Sequence, residues 1–189
     1  LVVKWDYKGN EKFNSKTYEQ GLRDLAKKEG VVAHNQGDFD KAFVAAPLKL
    51  EAFYETPIVS HSPIEPMNCV ASWYDTNKLE IWVSTQVPGD IIDSFAKAYS
   101  IPEENIKVNV LFNGGGFGRR LYNDYIHEAV QLTKKIGKPV KLIWTREDDT
   151  QQGPFRPMTF SVLKGALSAD GKAVAFQHKV IAPSIDASE

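Results

Sequence analysis

Four glycines and one phenylalanine make up residues 114–118, within the segment NGGGFGRR. Successive glycines weaken both helices and strands, so this segment is predicted to be a loop between a β-branched pattern and a helical pattern. A backbone without side chains lets a ligand approach closely and leaves N–H groups free to donate hydrogen bonds. The segment therefore predicts a strand–loop–helix unit that suits a phosphate or an oxo group.

The residues after these glycines favour an anion site but leave an alternative open. The N-terminus of the following helix adds a partial positive charge, and Arg119 and Arg120 could supply planar, permanently charged groups. Alternatively, a strand ends in a glycine bulge before a basic pair exposed to solvent. The standard nucleotide-binding patterns do not fit, because position 119 is not glycine and no Gly-Lys-Ser/Thr occurs.

Hydrophobic periodicity predicts an α+β fold with helices interspersed among antiparallel or mixed hairpins. The predicted strands are a hairpin within residues 2–14, residues 49–59, a hairpin of residues 68–75 and 78–85, residues 105–112, residues 139–145 and a hairpin within residues 160–182. The predicted helices are residues 17–30, a short helix within residues 37–46, a helix after Pro88, and a helix that Asn123 or Asp124 begins and Gly137 ends.

Composition limits the possible classes of protein. The chain has 189 residues, 42% of them hydrophobic and 25% charged, which is enough to build a core. Its net charge of −1 gives no general attraction to nucleic acid or to an anionic membrane. The single cysteine, Cys69, excludes a multi-cysteine metal site and is expected in the core. No apolar stretch approaches 18 residues, so no membrane-spanning helix is predicted.

Three segments, in order, resemble one known family. They are HSPIEPMNCVASW at residues 61–73, the stretch from STQVPGD to NGGGFGRR at residues 84–120, and the stretch from AVQLTKK to FQHKV at residues 129–180. They are similar to the molybdopterin-binding large subunit of the xanthine oxidase/aldehyde oxidoreductase family, most of all to the branch with the isoquinoline 1-oxidoreductase β subunit.

The resemblance implies a division of the chain. Residues 41–189 would be part of a molybdenum-cofactor-binding domain, and residues 1–40 an N-terminal segment of weaker resemblance. The chain opens without methionine in a strand-like pattern, and we expect it to be a piece of a longer polypeptide. The remainder of that polypeptide is then an expected partner.

The resemblance implies a molybdenum hydroxylase that oxidises an N-heterocycle or an aldehyde with oxygen taken from water. The implied cofactor is molybdenum on a pterin cytosine dinucleotide, and the [2Fe-2S] clusters would lie on a small partner subunit. No residue of this chain is expected to bind the metal ion directly. The implied cofactor-binding residues are Gly114, Gly115, Gly116, Phe117, Gly118 and Arg119.

The resemblance also concerns the substrate. His61 and Glu65 would line the substrate pocket, while Pro63 and Pro66 argue against a helix that would pair them as metal ligands. Leu121 stands where xanthine-oxidising members use a glutamate, so xanthine is not expected. The family's catalytic glutamate lies near the far C-terminus of the large subunit. We therefore expect no catalytic residue in this chain and no turnover by it alone.

Two other functions remain open at the level of sequence. One is a binding or scaffold domain that keeps the fold after losing the cofactor, and the unbroken Gly-Gly-Phe-Gly segment favours the enzyme over it. The other is a nucleotide-binding domain that uses the same loop for phosphate.

Other patterns are given structural interpretations. His127 and Glu128 begin a zinc-protease pattern, but its fifth position is Gln131 rather than histidine, so a helix face is expected. Residues 146–149 are expected to be a solvated loop or a helix cap. The tryptophans expected to be buried or half-buried are Trp73, Trp82 and Trp144.

Overall fold

The computed structural model describes residue 4 and residues 14–184, and it has the predicted α+β fold. The chain divides into two compact units. Unit 1 contains the residues up to Val59 and from Pro157 onward, and unit 2 is the continuous segment Ser60–Arg156. The hairpin predicted within residues 2–14 lies outside the described residues. Among the described helices, none is long and apolar enough to cross a membrane.

Five α-helices, two short 3₁₀ helices (Glu103–Asn105 and Arg119–Leu121) and nine strands form in the described residues. The helices are α1 (Ser15–Ala26), α2 (Phe39–Ala45), α3 (Pro88–Tyr99), α4 (Asp124–Ile136) and α5 (Arg146–Gln151). The strands are β1 (Leu48–Thr56), β2 (Val59–Ser60), β3 (Asn68–Asp75), β4 (Lys78–Val83), β5 (Ile106–Val110), β6 (Val140–Ile143), β7 (Phe155–Arg156), β8 (Thr159–Leu167) and β9 (Ala173–Ile181). The predicted elements in this part of the chain therefore form, with some ends shifted.

Unit 1 is an antiparallel sheet with two helices. The strand order is β1-β8-β9. α1 contributes Leu22 to a small core with Phe160 and Ile181. The side chain of Asn14 begins this helix by accepting hydrogen bonds from the next backbone N–H groups.

α1 is shorter than its sequence pattern predicts. The pattern placed the helix end at Gly30, but the helix ends at Ala26. The N–H groups of Lys27 and Lys28 donate to carbonyls three residues earlier, which tightens the last turn. Residues 27–30 are exposed and carry no apolar side chain, so packing does not favour a further turn.

Unit 2 is a mixed four-stranded sheet packed against helices. The strand order is β5-β4-β3-β6, with β4 parallel to β5 and β3 antiparallel to both β4 and β6. α3 connects the two parallel strands, which a short turn cannot join. The buried core includes Met67, Cys69, Ala71, Leu79, Ile81, Val83, Ile91, Phe95, Ile126, Ala129 and Val130.

The predictions for Cys69 and the tryptophans are confirmed. Cys69 is buried in the core of unit 2, and burial raises the pKa of its thiol to about 12. Trp144 is buried, while Trp73 and Trp82 are half-buried. A thiol held neutral in this way is inert, so Cys69 serves packing.

The sheet of unit 2 brings two strand ends together. β4 and β5 are parallel, so their C-terminal ends lie at the same edge of the sheet. β4 ends at Val83, earlier than predicted, because Ser84 leaves the ladder and its Oγ donates to the carbonyl of Phe112 at 2.7 Å. Residues 84–86 therefore lie beside the glycine-rich segment that follows β5.

Ile81 and Ile143 provide a matched test of this core. Ile81 is fully buried in β4, whereas Ile143 is 58% exposed in β6. Ile81→Ala removes buried groups and leaves a cavity, so we expect the free energy of unfolding to fall by about 2–5 kcal/mol. Ile143→Ala should cost less than about 1 kcal/mol. Urea denaturation followed by tryptophan fluorescence measures both, and equal losses would contradict this assignment of the core.

Candidate functional site

The glycine loop, residues 113–118, turns through three residues with left-handed backbone. Gly115 and Gly118 have φ angles of 101° and 95°, where any side chain would be strained. Phe117 has a φ angle of 53°, at a cost of about 1–3 kcal/mol. Ser62 also has a positive φ angle, 37°, in the segment that contacts the loop. Such strained residues occur at functional sites, where surrounding contacts hold them.

Two side chains outside the loop hold it and leave no space for added carbon atoms. Glu65 Oε2 accepts a hydrogen bond from the N–H of Gly114 at 2.8 Å, and Gln86 Oε1 accepts from the N–H of Gly118 at 3.2 Å. A Cβ atom at Gly116 would lie 2.5 Å from Gln86 Oε1, and one at Gly114 would overlap the Cβ atom of Glu65. A side chain at Gly114 would thus meet the Cβ atom of Glu65, and one at Gly116 would displace the end of the Gln86 side chain.

Three successive N–H groups in the loop remain available to a ligand. Within the described part of the chain, no protein group accepts a hydrogen bond from the N–H of Gly115, Gly116 or Phe117. Gly115 and Gly116 are partly exposed, and Phe117 is exposed. Successive N–H groups in a tight turn form a concave site for an anion or an oxo group. The loop thus fits the predicted cofactor contact, which stays a prediction.

The interpretation of Arg119 and Arg120 as a solvated basic pair is wrong. Both side chains are buried. The two terminal nitrogens of Arg119 donate to the carboxylate of Asp124 at 2.9 and 2.8 Å, and its guanidinium lies over the rings of Tyr125 and Trp144. These contacts favour a structural role for the Arg119 side chain. Its assignment to the cofactor stays a prediction.

Glu65 lies beneath the loop and is ionised. Burial alone would raise the pKa of its carboxyl group, but hydrogen bonds from Asn68 and Gly114 and the charge of Arg120 outweigh burial. The pKa of Glu65 is therefore lowered. The carboxylate pairs with Arg120 at 2.8 Å.

His61 lies beside the other end of the loop. A Cβ atom at Gly118 would lie 3.6 Å from His61 Nε2, while His61 Nδ1 is 3.0 Å from the carbonyl oxygen of Pro154. Because a carbonyl only accepts hydrogen bonds, Nδ1 carries the proton and Nε2 is an acceptor. Burial lowers the pKa of the ring, and the charge of Arg156 adds to this effect. His61 therefore offers a neutral acceptor next to the loop.

The structure brings His61 and Glu65 to the glycine loop, but at different ends. Their role in a substrate pocket, like the predicted cofactor contacts, stays a prediction. Among the described residues there is no group of three or more His, Cys, Asp or Glu side chains that could hold a metal ion.

Sequence reasoning missed two residues that contact the loop. Gln86 follows β4, and Arg156 donates to the carbonyl of Phe117 at 2.9 Å. The signal for Gln86 was its position directly after a strand parallel to the one that enters the loop. No local pattern marks Arg156, because it lies 39 residues from its partner.

The acidic segment after β6 is partly as expected. Thr145 and Asp148 form a reciprocal cap at the start of α5, which agrees with a helix cap. Asp149, however, is buried rather than solvated, and Arg146 donates to it at 2.9 Å. It also lies 4.0 Å from the Nε atom of Arg119, which gives this buried charge a second opposite charge nearby.

The His127-Glu128 pattern lies on α4, as expected for a helix face. The His127 ring stacks on Phe95 with centroids 4.0 Å apart, and Glu128 accepts a hydrogen bond from Trp144 at 2.8 Å. The ring stacking and the hydrogen bond both lie within unit 2.

Comparison with known proteins identifies the class of this fold. The family described as molybdopterin cofactor-binding domain matches residues 24–184, and the chain belongs to that family. The fold is similar to the aldehyde oxidoreductase of Desulfovibrio gigas, with a TM-score of 0.65 and 20% identity over 77% of this chain and 16% of that chain. The predicted boundary between residues 40 and 41 stays a prediction.

Two curated relatives refine the comparison. The chain is 35% identical to the molybdenum-binding subunit of an aldehyde oxidoreductase of Escherichia coli K12, over 77% of this chain and 20% of the relative. It is 30% identical to the β subunit of isoquinoline 1-oxidoreductase of Brevundimonas diminuta, over 97% of this chain and 25% of the relative. The chain therefore spans a fifth to a quarter of the length of these relatives.

Gly153 makes room for the Arg119 side chain, which provides a test of its burial. A Cβ atom at Gly153 would lie 2.9 Å from Arg119 Nε and 3.2 Å from the carbonyl oxygen of Asp149. Arg119 cannot move without losing Asp124, so we expect Gly153→Ala to lower the free energy of unfolding by about 1–3 kcal/mol. Gly89→Ala, in α3 with no atom within 4 Å, is the control and should not destabilise. An unchanged urea midpoint for Gly153→Ala would refute this packing.

The protonation state of His61 is a second test. Because burial lowers the pKa of its ring, we expect a titration midpoint below the ordinary 6.5 and a ring that is more than half neutral at pH 6.5. Nitrogen chemical shifts in an NMR titration report both the midpoint and the tautomer. We expect the proton on Nδ1, and a proton on Nε2 would contradict the hydrogen bond to Pro154.

Proposed function

We propose that this chain is the part of a molybdenum hydroxylase subunit whose glycine loop contacts the molybdenum–pterin cofactor. The main support is the row of three available N–H groups at Gly115, Gly116 and Phe117, in a chain of the molybdopterin cofactor-binding family. The loop is bare because the ligand must contact the backbone. The pterin cytosine dinucleotide form of the cofactor belongs to the same proposal.

The bound cofactor would supply a two-electron oxidation in which oxygen comes from water. The residues of this chain would bind and orient the cofactor. The N–H groups of the loop donate to an electron-rich group of the cofactor, and the Gln86 side chain, seated against Gly116 and Gly118, fixes the direction of those donors. The Nε2 atom of His61 accepts a hydrogen bond from a group that lies beside Gly118.

An aldehyde or an N-heterocycle is the proposed substrate class. The named relatives include an aldehyde oxidoreductase subunit and an isoquinoline 1-oxidoreductase subunit. Leu121 is an uncharged, exposed residue three positions after Gly118, which suits an apolar substrate better than a purine held by a carboxylate. The electrons would leave through a small [2Fe-2S] partner subunit, and the catalytic glutamate would come from the remainder of the polypeptide.

Molybdenum content tests this function directly. The full-length polypeptide, purified from its native source, should contain nearly stoichiometric molybdenum and a pterin nucleotide. We expect Gly116→Val and Gly118→Val to lower that content several-fold, because one adds atoms against Gln86 and the other forces a side chain onto a φ angle of 95°.

Gly165→Val is the matched control for these variants. Gly165 lies within β8 and has no atom within 4 Å of an added Cβ, and valine is favoured in strands. Its molybdenum content should equal that of the wild type. A folded wild type without molybdenum or pterin would refute the proposed function and favour a cofactor-less binding domain.

A further inference from the structure

The Arg120 side chain joins the glycine loop to two other segments. It is fully buried, and its Nε, Nη1 and Nη2 atoms all donate hydrogen bonds. They reach the carbonyl oxygens of Gly115 at 2.8 Å, Ser84 at 3.2 Å and Glu65 at 3.0 Å. These carbonyls belong to the loop, to the end of β4 and to the segment before β3. One guanidinium group therefore fixes the loop against the framework of unit 2.

Glu65 holds the adjoining residue of the loop by two hydrogen bonds. Its Oε2 atom accepts from the N–H of Gly114 at 2.8 Å, and its own N–H donates to the carbonyl of Gly114 at 3.2 Å. The same Oε2 atom accepts from Arg120 Nη2 at 2.8 Å. Gly114 and Gly115 are thus bound, one residue each, by the two members of an ion pair.

Three protein donors occupy most of the acceptor capacity of Glu65. Its Oε1 atom accepts from Asn68 Nδ2 at 2.9 Å, while Oε2 accepts from Gly114 and Arg120. A carboxylate has about four lone-pair directions, and these donors use three of them. The single proton of the Ser84 hydroxyl is donated to the carbonyl of Phe112. Each donor is protein, so the carboxylate is occupied by its own chain.

The charge on both partners is essential to this arrangement. Arg120 is buried and permanently ionised, so it requires a negative partner, and only an acceptor suits the two N–H donors that meet at Oε2. A glutamine at position 65 would turn its NH₂ group either to Arg120 and Gly114 or to the NH₂ group of Asn68, and each of these is a donor. A lysine at position 120 would keep the charge but lose the fork that reaches three carbonyls.

We propose that Glu65 and Arg120 are positioning residues whose ion pair, formed by a fully buried arginine and a half-buried glutamate, sets the conformation of the glycine loop and directs the N–H groups of Gly115, Gly116 and Phe117 to the ligand. Glu65 then acts by holding the loop rather than by lining the substrate pocket. The part of this proposal that concerns the ligand rests on the proposed function. The part that concerns the conformation of the loop does not.

Hydrogen exchange of the full-length protein tests the conformation. In the wild type, the N–H groups of Gly114, Gly118 and Arg119 are bonded to protein acceptors and should be protected. We expect Glu65→Gln and Arg120→Lys to speed the exchange of the N–H groups of Gly114, Gly118 and Arg119 more than tenfold. Exchange in β3 should be unchanged, which shows that the unit remains folded.

Glu80→Gln is the matched control. Glu80 also pairs with a cation in unit 2, but its partner is the exposed Lys107 and neither contacts the loop. This variant should leave the exchange of residues 114–119 unchanged. If Glu65→Gln does not fold, Glu65→Asp serves in its place, because it keeps the charge and is too short to reach both Arg120 and Gly114.

Molybdenum content of the same variants separates the two parts of the proposal. Faster exchange together with a several-fold lower content of molybdenum supports both parts. Unchanged exchange in the Glu65 and Arg120 variants overturns the positioning role. Faster exchange with full molybdenum content overturns the link between loop conformation and cofactor. A wild type without molybdenum refutes the proposed function, while the exchange comparison still decides the role of the ion pair.

Discussion

The glycine loop depends on the burial of two adjacent positive charges, Arg119 and Arg120. A buried guanidinium group without partners would cost several kcal/mol, so each arginine folds inward only where partners are already in place. Arg119 finds the carboxylate of Asp124 and two aromatic rings, and Arg120 finds Glu65 and three carbonyl oxygens. These partners belong to helix α4 and to segments next to the sheet, so the charges tie the end of the loop to rigid elements.

The contacts at both ends of the loop explain how Phe117 keeps an unfavourable backbone conformation. The φ angle of Phe117 is 53°, a conformation that a free chain would leave. The residue is held because Arg156 donates to its carbonyl at 2.9 Å and because the N–H group of Arg119, two residues later, donates to the carbonyl of Gly116 at 2.8 Å. The contacts that stabilise the turn use the carbonyl groups of Gly115, Gly116 and Phe117 and leave their N–H groups available. The loop therefore presents hydrogen-bond donors to a ligand.

Sequence periodicity predicted the elements but not the polar contacts between them. The apolar pattern placed β3, β4, α3 and α4, because each buries one face and its period is visible in a short window. The same reasoning offered Asn123 or Asp124 as a helix cap. Asn123 stands at the cap position but its side chain makes no cap hydrogen bond, and the carboxylate of Asp124 binds Arg119. Glu65 and Gln86 lie 49 and 32 residues from the loop residues that they hold, and local patterns carry no information at such separations. The resemblance selected Glu65, but only the contacts indicate how it acts.

All the protein contacts described for the glycine loop come from unit 2, the continuous segment Ser60–Arg156. The segment after β4 supplies Gln86, the segment before β3 supplies His61 and Glu65, and the segment after α5 supplies Arg156. Helix α4 supplies Asp124, which binds Arg119 directly after the loop. A site held by rigid elements of one unit keeps its donors in place before any ligand arrives, so binding does not have to order the loop. The glycines let a ligand reach the backbone of the loop. The contacts of the buried arginines restrict the conformational freedom that these glycines would otherwise have.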